Sequence, residues 1–107
     1  MKEKKMAPVH PGEILQKQFL DPLEMSQNRL ATQIGVAARR INEIVHGKRR
    51  ITADTAMRLA RFFNMTPQYW LGLQADYDLD VVQDELEEKI NRTVHPYRAG
   101  HYVAKSA

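Results

Sequence analysis

The chain contains no cysteine, which excludes disulfides, thiolate nucleophiles and cysteine-ligated zinc or iron-sulfur centres. That absence suits a reducing compartment, so the cytoplasm is the expected location. No apolar run reaches the length of a signal-peptide core or a membrane span, even after the lysines of MKEKKMAPVHPGEIL, so a soluble chain with no membrane partner is expected. Alternation of period two is nowhere sustained, which argues against sheets and leaves an all-α architecture. At 107 residues and 43% hydrophobic content, there is material for one modest core and none for a second catalytic domain.

Acidic residues are scarce where basic ones gather. Residues 1–50 carry ten Lys and Arg against five Asp and Glu, residues 51–90 carry three against eight, and residues 91–107 carry three against none. The net charge of +3 therefore hides a basic first half, where a polyanion would bind, and an acidic second part.

Helix signals follow one another without repeats or low-complexity linkers. Pro11 can open a first helix, with Glu13 near its N-terminus and Ile14, Leu15, Phe19 and Leu20 on its apolar face, and Asp21-Pro22 is expected to close it. Ser26 can cap a second helix, Gln27–Ile34, that Gly35 ends, and a third runs from about Ala38 to Val45 with Gly47 placed to stop it in a left-handed conformation. Thr52 can cap a fourth helix whose inward residues are Met57, Leu59, Ala60 and Phe63, and Thr66-Pro67 starts a fifth that contains Trp70, Leu71 and Leu73. The expected organisation is one domain over residues 8–90 followed by a loose tail over residues 91–107. The leading MKEKKMA is expected to be loose as well.

The segment 27–46 carries the functional pattern. Leu30, Ala31, Ile34, Val36, Ile41 and Ile44 are apolar or small, Ala31 permits close approach of two short helices, and Gly35 permits the tight turn between them. This is a helix-turn-helix. With Ile41, Ile44 and Val45 inward, Ala38, Arg39, Asn42, Glu43 and His46 face outward, with Arg40 at one margin.

A helix presented this way fits the major groove of DNA. Arg39 suits guanine, Asn42 adenine, Glu43 a cytosine amino group and Ala38 a thymine methyl, while Arg40 suits a base or a phosphate. Lys48, Arg49 and Arg50 beyond the helix, and Gln27 and Asn28 at a helix N-terminus, suit phosphates. One such helix binds weakly, so a homodimer on a palindrome is expected. The apolar stripe Leu79, Val82, Leu86 and Ile90, together with Trp70, is the expected dimer surface.

Other constellations read blandly. His10, His46, His95 and His101 form no metal spacing, and no cofactor is implied. Asp76, Asp78, Asp80, Asp84, Glu85, Glu87 and Glu88 lack the glycine and loop of a calcium site and read as a solvated helix face. Phe62, Phe63, Tyr69 and Trp70 read as core and interface packing rather than a stacking platform. Glu13 with His10 is the only acid-base pair near a helix start, and it reads as helix-start hydrogen bonding rather than as an enzyme site.

HPGEIL at His10 to Leu15, DPLEMSQNRLA, IGVAARRINEIVHGKRRIT, DTAMRLARFF and WLGLQADYDL resemble the HigA antitoxins of host-inhibition-of-growth modules, within the Cro and phage-repressor-like helix-turn-helix class. The resemblance spans roughly residues 9–82. It implies a compact five-helix, lambda-repressor-like domain, dimeric, that binds a palindromic operator before its own operon. It also implies a small HigB-type toxin partner, a ribosome-dependent endoribonuclease, neutralised by complex formation. Base-reading positions of the class correspond to Ala38, Arg39, Arg40, Asn42 and Glu43, and phosphate-binding positions to Gln27, His46 and Lys48. Ala37 departs from the usual Ser, Thr or Pro at the start of the recognition helix, Arg39-Arg40 is more basic than usual, and past Ile90 the resemblance lapses. The competing readings are a stand-alone regulator of the same fold without a toxin and, from another class, a protein-interaction module that uses the acidic half.

Overall fold

The computed structural model describes residues 7–98, and its first helix runs straight through a proline. Helix α1 spans residues 11–23 as an α-helical turn Pro11–Ile14, a π-helical stretch Leu15–Leu20 and a last turn Asp21–Leu23. The expected stop at Asp21-Pro22 is thus corrected. The Asp21 N–H bonds to the Gln16 carbonyl, five residues back, so the widened turn relieves the usual collision of the proline ring with a preceding carbonyl. The helix ends at Glu24, which takes the left-handed conformation (φ 53°), and its N–H returns to the Asp21 carbonyl at 3.0 Å.

The entry to α1 is fixed by two neighbouring residues. His10 Nδ1 accepts the Gly12 N–H at 2.9 Å, and Pro11 occupies the first helical position, where a missing N–H costs nothing. Gly12 lies so close to the backbone of Ile44 and Val45 that a methyl group there would overlap the Ile44 carbonyl.

Helices α2, Gln27–Ile34, and α3, Ala38–Val45, have the expected bounds. The Ser26 hydroxyl accepts the Arg29 N–H at 3.0 Å, and Gly35 supplies the left-handed turn (φ 75°). Gly47 (φ 74°) ends α3 with the paired bonds of a Schellman motif: its N–H reaches the Ile44 carbonyl, and the Lys48 N–H reaches Glu43 at 2.8 Å.

Helix α4, Ala53–Phe63, and helix α5, Pro67–Thr93, follow Thr52 and Thr66, which stand at the N-cap positions although neither hydroxyl makes a capping bond. Met57, expected inward, is 64% exposed; the inner face of α4 is Thr55, Ala56, Leu59 and Ala60, and Met57 falls well to one side of it. Helix α5 has 27 residues, about 40 Å at the α-helical rise, so the fifth helix and its extension are one continuous rod. It continues past Ile90 to Thr93, which shortens the expected tail; residues 94–98 have no regular structure. The leader 1–6 and the tail 99–107, with His101, lie outside the described residues.

The core joins all five helices. Leu15 and Leu20 meet Leu30, Ala31 and Ile34 of α2, Ile41 and Ile44 of α3, and Leu59 of α4, with Ile51 closing the loop before α4. Trp70 is completely buried, with its ring 4.9 Å from Phe19, 5.1 Å from Tyr69 and 6.2 Å from Phe63. Its expected place in the dimer surface is therefore corrected: the aromatic cluster of α1, α4 and α5 consumes it within one chain. Among the described residues no helix is long and apolar enough to cross a membrane.

Candidate nucleic-acid interface

Helix α3 owes its presentation to what lies under it. Ile41 and Ile44 are fully buried, and the Gly12 backbone presses on the other side of the Ile44 peptide. The turn before it is held from α4, because Arg58 Nη1 donates to the Ile34 carbonyl at 2.9 Å and to the Gly35 carbonyl at 3.3 Å. These are orphan carbonyls of the α2 C-terminus, so Arg58 both caps α2 and pins the turn. Ala37 starts α3 without a side-chain cap, so that start depends on this packing.

With the inner face fixed, Ala38, Arg39, Asn42 and His46 stand exposed, and Glu43 is partly exposed between them. Glu43 is engaged on both oxygens. Oε2 accepts from Arg39 Nε at 2.8 Å and Oε1 from Arg49 Nε at 2.9 Å. These two hydrogen bonds hold the Glu43 carboxyl below its usual pKa range and push the Arg39 guanidinium up. Arg49, expected beside Lys48 and Arg50 on the phosphate side, thus joins the cluster on α3.

The other two arginines are also engaged, each by a different helix. Arg40 is turned to α4, where Nη1 contacts Asp54 Oδ2 at 2.6 Å and the Thr55 hydroxyl at 3.4 Å, so the structure does not group it with Arg39 and Asn42. Asp54 receives Arg58 as well, and both arginines lower its pKa. Arg50 reaches α5, with Nη2 at 2.8 Å from Asp78 Oδ2. Asp78, read from sequence as part of a solvated acidic face, is instead the anchor of the basic loop. Gln74 completes that anchor: its Oε1 accepts the buried Ile51 N–H at 2.8 Å while its Nε2 donates to Asp78 at 3.0 Å. Lys48 is exposed and has no ion pair among the described residues.

A chain of amides links α1 to α3. Gln16 Nε2 donates to Asp21 at 2.7 Å, Gln27 Nε2 donates to Gln16 Oε1 at 3.1 Å, and Asn42 Nδ2 donates to Gln27 Oε1 at 3.2 Å. This order engages the Asn42 side chain through its nitrogen and leaves its acceptor oxygen out of the chain of amides. Gln27 therefore touches the recognition helix directly, while Asn28 is exposed beside it on the first turn of α2, whose N–H groups lack intrahelical acceptors. His46 Nδ1 lies 2.8 Å from its own-turn Asn42 carbonyl.

Five positioning residues escaped the sequence pattern: Gly12, Gln16, Arg58, Gln74 and Asp78. Gly12 alone carried a signal, since a glycine just inside a proline-started helix costs about 1 kcal/mol of helix propensity and calls for a packing reason. The helix-start hydrogen bonding expected of His10 and Glu13 is present, with the Glu13 N–H on the His10 carbonyl at 2.9 Å, whereas their side chains do not pair. His10 is spent on the α1 cap, and Glu13 pairs with Lys17 at 3.0 Å. Burial lowers the pKa of His10, while nearby Asp78 raises it and Arg50 lowers it.

Comparison with known proteins agrees with this geometry. The profile of the Helix-turn-helix family matches residues 16–70. Virulence-associated protein I of Dichelobacter nodosus is 45% identical over 86 residues, which cover 80% of this chain and 79% of that protein. Among solved structures, an addiction module antidote protein of the HigA family from Coxiella burnetii superposes with a TM-score of 0.82 at 44% identity, covering 86% of this chain and all of that one. The Pseudomonas aeruginosa antitoxin HigA, solved with the higBA promoter, superposes at 0.80 with 38% identity and covers 83% of this chain and 97% of its own. The chain is a helix-turn-helix DNA-binding protein and not an enzyme, and it belongs to the Cro and phage-repressor-like family in the branch that contains the HigA antitoxins.

Proposed function

We propose that the protein is a sequence-specific repressor that binds a palindromic operator as a homodimer, controls its own operon and neutralises a small HigB-type ribonuclease toxin. The observation that carries the reading is the outward face of α3, where Ala38, Arg39, Asn42 and Glu43 stand clear of a fully committed inner face. Arg39 would meet guanine and the free oxygen of Asn42 an amino group of adenine. Lys48, Gln27, Asn28 and His46 would meet phosphates, with Arg49 and Arg50 at the rim. Arg40, engaged on α4, would serve the backbone rather than a base.

The dimer is assigned to Leu79, Val82 and Leu86 with Ile90, exposed on the outer half of α5. The likeness to a HigA antitoxin solved with the higBA promoter supports operator binding and self-regulation. Selection of bound sequences from a random DNA library tests the first part: an inverted repeat is expected, and enrichment of no sequence would overturn it. Sequencing of the flanking reading frames, and co-expression with any small basic protein they encode, tests the second, with a co-purifying complex and relief of growth arrest expected. Operator binding without any toxic neighbour would leave a stand-alone regulator.

A further inference from the structure

We infer that Glu43 is a specificity-determining residue of a kind opposite to base reading: it holds Arg39 and Arg49 back from indiscriminate contact with the phosphate backbone and leaves the outer edge of Arg39 free to meet a base. The inference rests on the DNA-binding function proposed above. Its basis is the way one carboxylate is shared. Glu43 places one oxygen on Arg39 and the other on Arg49, both at hydrogen-bond distance and both at Nε. Neither arginine has to leave for the other to bind, so the two are held together.

Holding at Nε has a geometric consequence. The guanidinium of Arg39 keeps its two Nη groups unpartnered among the described residues, and these form the edge that pairs with the two acceptors of guanine. The side chain is 83% exposed, so a free arginine at this position would sweep many rotamers and meet any phosphate in reach. Anchoring at Nε limits that sweep while leaving the base-reading edge available.

The electrostatic consequence points the same way. Two arginines and one glutamate form a cluster of charge +1 in place of +2, next to a backbone that binds cations regardless of sequence. The paired carboxyl stays ionised at neutral pH, since both arginines lower its pKa. Non-specific attraction is thereby reduced, while contact with the right bases, which uses the Nη edge, is not. A lower non-specific affinity matters because a genome offers vastly more wrong sites than operators.

The test is Glu43→Gln, an isosteric change at a partly exposed position, with Glu43→Asp as a companion that keeps the charge and shortens the reach. Affinity for the selected operator and for a scrambled duplex is measured across a salt series, with sequence preference from library selection and Arg Nε–H resonances by NMR. For Glu43→Gln we expect scrambled-duplex affinity to rise by about tenfold, with a salt slope steeper by about one phosphate. Preference should flatten at the base pair that Arg39→Ala also flattens, and the Arg39 Nε–H should exchange with water faster than in the parent. Glu43→Asp should fall between the two proteins. Unchanged scrambled-duplex affinity with relaxed preference at a different base pair would overturn the inference and make Glu43 a direct reader. A wild type that enriches no sequence would remove the DNA-binding reading itself, whereas a selective wild type indistinguishable from Glu43→Gln would remove only the role of Glu43.

Discussion

The outward face of α3 carries charges that are already paired within the chain, whereas the outward stripe of α5 carries Leu79, Val82, Leu86 and Ile90 at 60%, 41%, 41% and 42% exposure. Both are amphipathic helical surfaces, but they differ in what water does to them. Polar groups that hold one another can wait in solvent at little cost, and they exchange partners when a polyanion arrives. Apolar side chains in a row gain nothing from solvent, and burying them contributes on the order of 25 cal/mol per Å². On the function proposed above, the first surface suits a reversible partner and the second a standing one. The inner half of α5 sharpens the contrast, since Trp70 and Gln74 there are buried against the chain's own core.

The largest way to break this comparison is to unseat α3. Gly12→Ala forces a methyl group into the Ile44 carbonyl, and about 3 kcal/mol of stability should be lost, read as a lower midpoint in chemical denaturation. Unchanged stability would mean that α1 can slide away without cost. Next, Val82→Asp with Leu86→Asp should convert the dimer to monomer in sedimentation, with little loss of helical signal from the inner half of α5. A dimer that survives both would move the interface elsewhere.

Arg39→Ala should reduce operator affinity by roughly ten- to a hundredfold with little effect on a scrambled duplex. Lys48→Ala should weaken both together and lower the salt slope by about one. Equal operator affinity for Arg39→Ala and the parent would remove Arg39 from base reading.

The smallest effect is on pH dependence. In the fold the charged form of His10 is disfavoured below its ordinary value of 6.5, so the unfolded chain binds the proton more readily. Stability should therefore be level above about pH 6.5 and decline as pH falls from there towards the lowered folded value. His10→Asn keeps a cap acceptor and should flatten that decline. Glu43, Asp54 and Asp78 have lowered values, so their contributions hold above the ordinary carboxylate range and are lost only in stronger acid, as pH falls through those values.

The sequence made the helix bounds of α2 and α3 legible because local signals agree there: Ser26, Gly35 and Gly47 do what their chemistry favours, and Ile41 and Ile44 set the phase. Pro22 misled because a π turn is a tertiary solution that no local rule anticipates. Met57 misled because an apolar residue at the edge of a stripe carries no sign of which side is covered. Trp70 carries no local sign of its place, since aromatic residues serve cores and contacts alike. The pairings of Arg40 with Asp54 and Arg50 with Asp78 join residues 14 and 28 positions apart, and nothing in a linear pattern ties such partners together.

The contact between the Gly12 backbone and the Ile44 carbonyl has a bearing on retargeting. Because α3 is seated by Ile41, Ile44 and a main-chain contact, the proposed address and the mounting are written in different residues. If Ala38, Arg39, Asn42 and Glu43 read the operator as proposed, they can be rewritten to seek another one, and the helix would still dock at the same height and tilt, provided that position 12 stays empty of any side chain.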